Sequence, residues 1–297
     1  MGDPVQYRRE TGMEQTENVK DKDKAVIRRI FLRVAYDGTN YHGWQLQPQA
    51  TTVEGVLNQE ISSLVGENIQ VIGASRTDAG VHALGNVAVF DTSSRIPPEK
   101  FAYALNQRLP SDVVIQESGE AARDFHPRHC PCRKTYEYTI LNRTFPLPQY
   151  RHTAHFEYGS LDTVAMQNAC GAFVGVHDFG AFCSAGAQVK TTVRTIYRLE
   201  VAVQPLSGGS DFPTDKSSGQ LIVIRVQGNG FLYNMVRIIA GTLLEVGKGH
   251  IPPERVKEII ASCDRGQAGP TAPARGLVLA EIEYPEGHLG NRADVEG

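Results

Sequence analysis

Apolar residues in this 297-residue chain recur at two spacings, and the change from one to the other marks out its elements. Residues 29–36 (RIFLRVAY) are rich in β-branched and aromatic side chains, with Phe31 and Val34 among the apolar positions, and predict a strand. In TTVEGVLNQEISSLVG the apolar residues Val53, Val56, Leu57, Ile61, Leu64 and Val65 fall at helical spacing. Thr51 with Glu54 predicts a capping-box start to that helix, and Gly66 a stop. Two further strand-like runs, IQVI (69–72) and NVAVF (86–90), flank the glycine-punctuated stretch GASRTDAGVHALG. A helix is then expected after Pro97–Pro98, through EKFAYALNQRL.

A second, similar series begins at KTYEYTIL (134–141), a strand with alternating aromatics. The helix DTVAMQNACGAFVG and the strand RTIYRLEVAV (194–203) follow. Residues 204–220, rich in Gly, Ser, Pro and Asp, read as a surface loop between hairpin strands. LIVIRVQG then leads into the helix FLYNMVRIIAGTLLEVG, and a Pro-started helix (252–262) precedes a closing strand, LVLAEIEY (277–284). The mixture lacks strict βαβα alternation, so the expected class is α+β with antiparallel sheet, in two similar halves that meet near residue 130. The boundaries this suggests are a charged, disordered tail (1–26), an N-terminal α/β domain (27–130), a C-terminal α/β domain (131–286) and a C-terminal tail (287–297).

Composition narrows the class without naming it. Hydrophobic residues at 41% and charged residues at 21% are those of an ordinary globular protein. No apolar run reaches the roughly 18 residues of a membrane span, and the N-terminus has no apolar signal core. Five irregularly spaced cysteines point to a reducing, cytoplasmic compartment. The net charge of −3 carries no global signature of nucleic-acid binding and leaves room for a local basic groove.

The candidate chemistry starts in GASRTDAGVHALG, where Asp78, Arg76 and His82 stand among small and apolar residues. Arg76, two positions from Asp78, shares its face in an extended segment, so it pairs with Asp78 in a loop salt bridge or meets an incoming phosphate. Arg237 is the only charge in its helix before Glu245, and a buried guanidinium there requires an anion, for which Asp78 is the candidate, unless it snorkels outward. In RKTYEY, Lys134, Tyr136 and Tyr138 share one strand face: either a stacking surface beside a phosphate-binding ammonium, or two tyrosines packing a sheet. Arg123, Arg128, Arg133 and Lys134, with His126 and His129, form the most basic stretch after the tail, a candidate track for a nucleic-acid backbone. HPRHCPC (126–132) is too cramped for an ordinary zinc site and has no second ligand pair, so no metal is expected. GNG (228–230) lacks the third glycine of a dinucleotide fingerprint, and no nucleotide cofactor is expected either. His177–Asp178 reads as an acid/base pair or as a hydrogen bond at a helix exit.

Several ordered blocks then converge. YDGTNYHGWQLQP, TVEGVL, SRTDAGVHALG, FHPRH, KTYEY, HDFGAF, TVRTI, GNGFLYNMVRIIAGTLLEVGKG and TAPARGLVL together resemble the tRNA pseudouridine synthase A (TruA) family, from about Ile27 to Pro285. The resemblance implies an isomerase that converts uridine to pseudouridine in the tRNA anticodon stem–loop, at positions 38 to 40. It implies Asp78 as nucleophile, Arg76 in the same loop, Tyr136 stacked on the target base and Arg237 paired with Asp78. His82, Lys134 and Arg128 are the further substrate-binding candidates. It also implies two α/β halves meeting at an active-site cleft, a homodimer and no cofactor. The HCPC segment departs from the family pattern, and the tail and the 204–220 loop have no counterpart in it. A catalytically silent RNA-binding protein on the same scaffold, and more weakly a nucleosidase or glycosidase, are the competing readings; the latter normally wants a second nearby carboxylate.

Overall fold

The computed structural model describes residues 26–187, 189–206 and 219–289. The expected tail up to residue 26, apart from Val26, most of the 204–220 loop and the last eight residues lie outside them. The strands join in one ten-stranded sheet. The first half contributes β1 (Arg28–Tyr36), the short β2 (Ile72–Gly73), β3 (His82–Thr92) and β4 (Val113–Ala121). The second contributes β5 (Arg133–Asn142), β6 (His155–Glu157), β7 (Gly175–Asp178), β8 (Val193–Pro205) and β9 (Gln220–Gly228). The last strand, β10 (Leu277–Glu283), lies between the halves, giving the order β4-β1-β3-β10-β5-β9-β8-β7. It runs antiparallel to β5 and parallel to β3, where Val278 stands opposite His82 and Leu279 opposite Ala83.

Helices α1 (Val53–Val65), α2 (Phe101–Asn106), α3 (Thr163–Cys170), α4 (Met235–Gly247) and α5 (Arg255–Ser262) supply much of the core. Helix α4 is buried almost all round, from Met235 through Ile238, Ile239 and Leu243 to Val246. Such a helix is hydrophobic on every face because it has protein on every face. A smaller cluster of Phe31, Val89, Ala121 and Phe125 packs separately, with Gly119 leaving space for the Phe31 ring.

Local differences from the expected elements have physical causes. The N-cap of α1 is Thr52, whose hydroxyl accepts the Gly55 N–H at 3.2 Å. That register puts glycine where a capping box needs its acid, and Glu54 instead accepts the Leu46 N–H at 2.8 Å, so the Thr51–Glu54 box does not form. Gly66 ends the helix as expected, in the left-handed conformation. The run at 69–72 reaches sheet pairing only at Ile72, whereas β3 begins at His82 and takes in the end of the presumed loop. His177 and Asp178 lie on β7 rather than at a helix exit, and Asp178 accepts the Gly180 N–H at 2.9 Å. Finally, α4 begins four residues later than the apolar run suggests, because Asn234 breaks it with a φ of 60°.

Candidate active site

The sequence between β2 and β3 places Asp78 on a loop held from four directions. Buried Asn86 on β3 accepts the Ser75 N–H at 3.2 Å and donates to the Ser75 carbonyl at 3.0 Å. The hydroxyls of Tyr36 and Thr77 share a hydrogen bond at 2.7 Å. Trp44 N–H donates to the Thr77 carbonyl at 3.0 Å, and Gly80 N–H to the Tyr41 carbonyl at 3.2 Å. Lys134 on β5 donates to the Ala74 carbonyl at 2.9 Å. Two glycines make this approach possible: a Cβ on Gly38 would stand 2.0 Å from the Val81 oxygen, and one on Gly43 2.5 Å from the Thr77 oxygen. Hydrogen bonds at this density restrict the loop's conformation.

Arg237 reaches Asp78 from the opposite side, on the first turn of α4. Its Nη1 lies 3.6 Å from Asp78 Oδ2, with 18% of the Arg237 side chain and 27% of the Asp78 side chain exposed. The same guanidinium donates from Nε to the Ala272 carbonyl and from Nη1 to Asn234 Oδ1, both at 2.7 Å. The expected Asp78–Arg237 pair therefore forms, as an electrostatic contact too long for a hydrogen bond. Burial pushes the Asp78 carboxyl above its ordinary range and Arg237 pulls it back down, with burial the stronger influence.

Asp78 opens on a cleft of about 620 Å³. Tyr136, 8% exposed, forms part of its wall and meets Phe231 edge to face at 5.2 Å. Burial lifts the Tyr136 hydroxyl to about 12, with a further rise from the Asp78 carboxylate and a partial offset from Ser75. Arg76 also lines the cleft, but it is exposed and no ion pair of 4.0 Å or less joins it to Asp78 among the described residues. The loop salt bridge between those two is thus replaced by the pair with Arg237, whose guanidinium is anchored on both sides.

The other candidates fall elsewhere. Tyr138 shares the strand face with Tyr136 but is wholly buried, and its hydroxyl donates to the Pro273 carbonyl at 3.0 Å. Lys134 is spent on the Ala74 carbonyl, and burial lowers its ammonium pKa, so it supports the Asp78 loop instead of facing the cleft. His82 is buried, with Nδ1 accepting the Gly38 N–H at 3.1 Å, and it braces the turn after β1. Arg128 is exposed outside the cleft, beside the His126 and His129 rings, which stack at 3.9 Å. Cys130 and Cys132 are free thiols. Among the described residues no group of three or more His, Cys, Asp and Glu side chains is placed to share a metal ion.

Three cleft-lining groups carried no assignment in the sequence reading: His42, Gln45 and Gln47 after β1, Tyr233 and Asn234 before α4, and Gly186–Ala187 with Val189. For the first group the signal was present in the block YHGWQLQP, whose polar residues sit in a run too irregular for a helix or strand; Tyr233 and Asn234 were hidden in a run that reads as helical throughout.

The sequence profile of the family described as tRNA pseudouridine synthase matches residues 33–129 and 169–285, well over half of the chain. The chain belongs to the tRNA pseudouridine synthase family. It is 47% identical over 258 residues to proteins named tRNA pseudouridine synthase A from Acetivibrio thermocellus and Ruminiclostridium cellulolyticum, covering 87% of this chain and 100% of each of theirs. A Thermoanaerobacter protein of the same name is 44% identical over 259 residues, again over 87% of this chain and its own full length. For a pseudouridine synthase family member, the cleft presents a carboxylate, its guanidinium partner and an aromatic wall, assembled from both halves of the chain. No described helix is long and apolar enough to cross a membrane.

Proposed function

We propose that this protein converts uridine to pseudouridine in the tRNA anticodon stem–loop, at positions 38 to 40, with Asp78 as the nucleophile. The observation that carries the reading is a partly buried carboxylate paired with Arg237 on the wall of an open cleft beside Tyr136. Family membership supplies the substrate class.

The reaction exchanges the bond from C1′ to N1 for one from C1′ to C5. In one route the Asp78 carboxylate attacks C1′ as the bond to N1 breaks, leaving an ester and a uracil anion. The base then turns, C5 displaces the carboxylate, and the proton on C5 is lost as N1 gains one. In the other route Asp78 removes the proton on C2′ as the uracil anion departs, leaving a glycal. C5 then adds to C1′ as the protonated Asp78 returns the proton to C2′, and the proton on C5 is lost as N1 gains one. Both begin from ionised Asp78, which Arg237 favours against the opposing effect of burial. A base worked on in this way must leave its stack, and Tyr136 offers it an aromatic face. The Tyr136 hydroxyl, at about 12, keeps its proton at neutral pH, so the ring stays uncharged beside the carboxylate. The exchange is redox-neutral and calls for no cofactor. A cytoplasmic homodimer acting on tRNA completes the proposal.

The test is tritium release from tRNA carrying uridine labelled at C5. Wild type is expected to release tritium and Asp78→Asn to release none. Wild type that binds tRNA without release would make the protein a silent RNA-binding member of its family. Normal turnover by Asp78→Asn would remove Asp78 from the chemistry.

A further inference from the structure

Asn234 stands immediately before α4 with φ 60° and ψ 7°, a left-handed backbone that residues other than glycine adopt at a cost. Asparagine at the head of a helix ordinarily spends its side-chain oxygen on a first-turn N–H. Asn234 makes no such bond. Its Oδ1 instead accepts from Arg237 Nη1 at 2.7 Å, and its Nδ2 donates to Ser184 Oγ at 3.0 Å. A flipped amide would set two donors against each other at Arg237, so these contacts agree on one orientation. The Ala272 carbonyl holds Nε of the same guanidinium at 2.7 Å. Two acceptors from separate segments thus define the guanidinium plane, and Arg237 meets Asp78 at 3.6 Å without a direct hydrogen bond to enforce the alignment.

We propose that Asn234 is a positioning residue for the Asp78 reaction: its amide, turned away from helix capping and oriented by Ser184, aims the Arg237 guanidinium at the Asp78 carboxylate. This rests on the pseudouridine-forming reading of the site. The positive φ belongs to the device, since Asn234 in this conformation gives its side chain to the guanidinium three residues on instead of to the helix backbone. It also explains why an apolar, helix-favouring run is interrupted at Asn234, beside the cleft.

Arg237 from α4 pairs with Asp78 and Tyr136 from β5 is coupled to it, while Arg76 from its own loop and His42 from the segment after β1 line the same cleft, so its titration reports on its surroundings and the variants isolate one member. The discriminating substitution is Asn234→Gly, which keeps the left-handed backbone and deletes the amide. With C5-tritiated tRNA, kcat is expected to fall about ten- to a hundredfold, with KM within about threefold of wild type. The acid limb of the kcat profile should move to higher pH, while thermal stability stays near wild type. On an Arg237→Met background, Asn234→Gly should cost little more, because the two act as one unit. Carbon-13 NMR titration of the Asp78 carboxyl without tRNA reads the same coupling independently of turnover, and should show a higher pKa in Asn234→Gly. An unchanged Asp78 titration with wild-type kcat in Asn234→Gly overturns the proposal, as does a full additional loss on the Arg237→Met background. An inactive wild type would instead sink the pseudouridine-forming reading, while the NMR titration would still decide the Asn234–Arg237–Asp78 coupling.

Discussion

Asp78 sits between two opposed influences, and its behaviour with pH follows from their balance. Its folded pKa is raised, so the folded chain binds its proton more tightly than the unfolded chain does. The sign is therefore the reverse of an ordinary salt-bridged aspartate: stability falls as pH rises through the folded Asp78 pKa. Asp78→Asn is expected to melt higher than wild type at neutral pH, with the difference shrinking as pH drops through the carboxylate range; calorimetry across pH checks this. Arg237→Met removes the influence that lowers the carboxyl, and should shift the acid limb of the pH–rate profile upward with a loss of kcat. Arg237→Lys should recover only part of that loss, because an ammonium cannot meet Ala272, Asn234 and Asp78 in one plane. At Tyr136 the ring and the hydroxyl separate cleanly: steady-state kinetics should show Tyr136→Phe less impaired than Tyr136→Ala, since Phe231 still supports the ring edge to face. Equal losses would assign the effect to the hydroxyl.

Among elements, the Asp78 loop and the first turn of α4 are rigid for different reasons. The loop depends on hydrogen bonds to buried polar side chains. Asn86→Leu strands the Ser75 N–H and carbonyl in the interior, and should lower stability by about 2 kcal/mol or more. The first turn of α4 is backed by close backbone contact one turn further along the helix. A Cβ at Gly241 would lie 1.8 Å from the Pro270 carbonyl oxygen, so Gly241→Ala must displace the segment that carries Ala272. Denaturation and kinetics together should show a stability loss of about 1–3 kcal/mol and a fall in kcat, although Gly241 touches neither Asp78 nor the cleft. The elements themselves followed closely from periodicity where side chains obeyed a single spacing, as in β5 and α1, and from β-branched and aromatic composition in β1. Reading failed where a backbone torsion overrode composition: Asn234 ended an apolar run that is helical only beyond it, and a one-residue change of N-cap moved Glu54 out of its box.

Across the whole molecule, the sheet is the frame that brings the two halves of the site together. Asp78 comes from the first half, Tyr136 and Arg237 from the second, and β10 joins them by pairing with β3 on one side and β5 on the other. With a net charge of −3, attraction for tRNA has to come from local groups such as the exposed Arg76 and Arg128 rather than from the protein's overall field. Filter-binding across salt should then show affinity falling about tenfold or more between roughly 50 and 200 mM. Arg76→Ala should flatten that slope by about one unit while leaving stability within about 0.5 kcal/mol of wild type.

Much of this was legible in the residues alone. A lone acid in a glycine-bounded loop, a lone guanidinium in an apolar helix and a tyrosine pair on one strand are chemical anomalies, and each asks for a partner whatever the fold. What they could not specify was which partner each would take. Arg76, closest to Asp78 along the chain, is exposed, while Arg237, 159 positions away, makes the pair. Lys134 and Tyr138 share the face of Tyr136 yet are consumed by the Ala74 and Pro273 carbonyls. Spacing along a strand or helix decides which side chains point the same way. Whether a side chain then meets a cleft or a neighbouring carbonyl depends on segments far off in the chain, and those are brought together by β10 and the packing of α4.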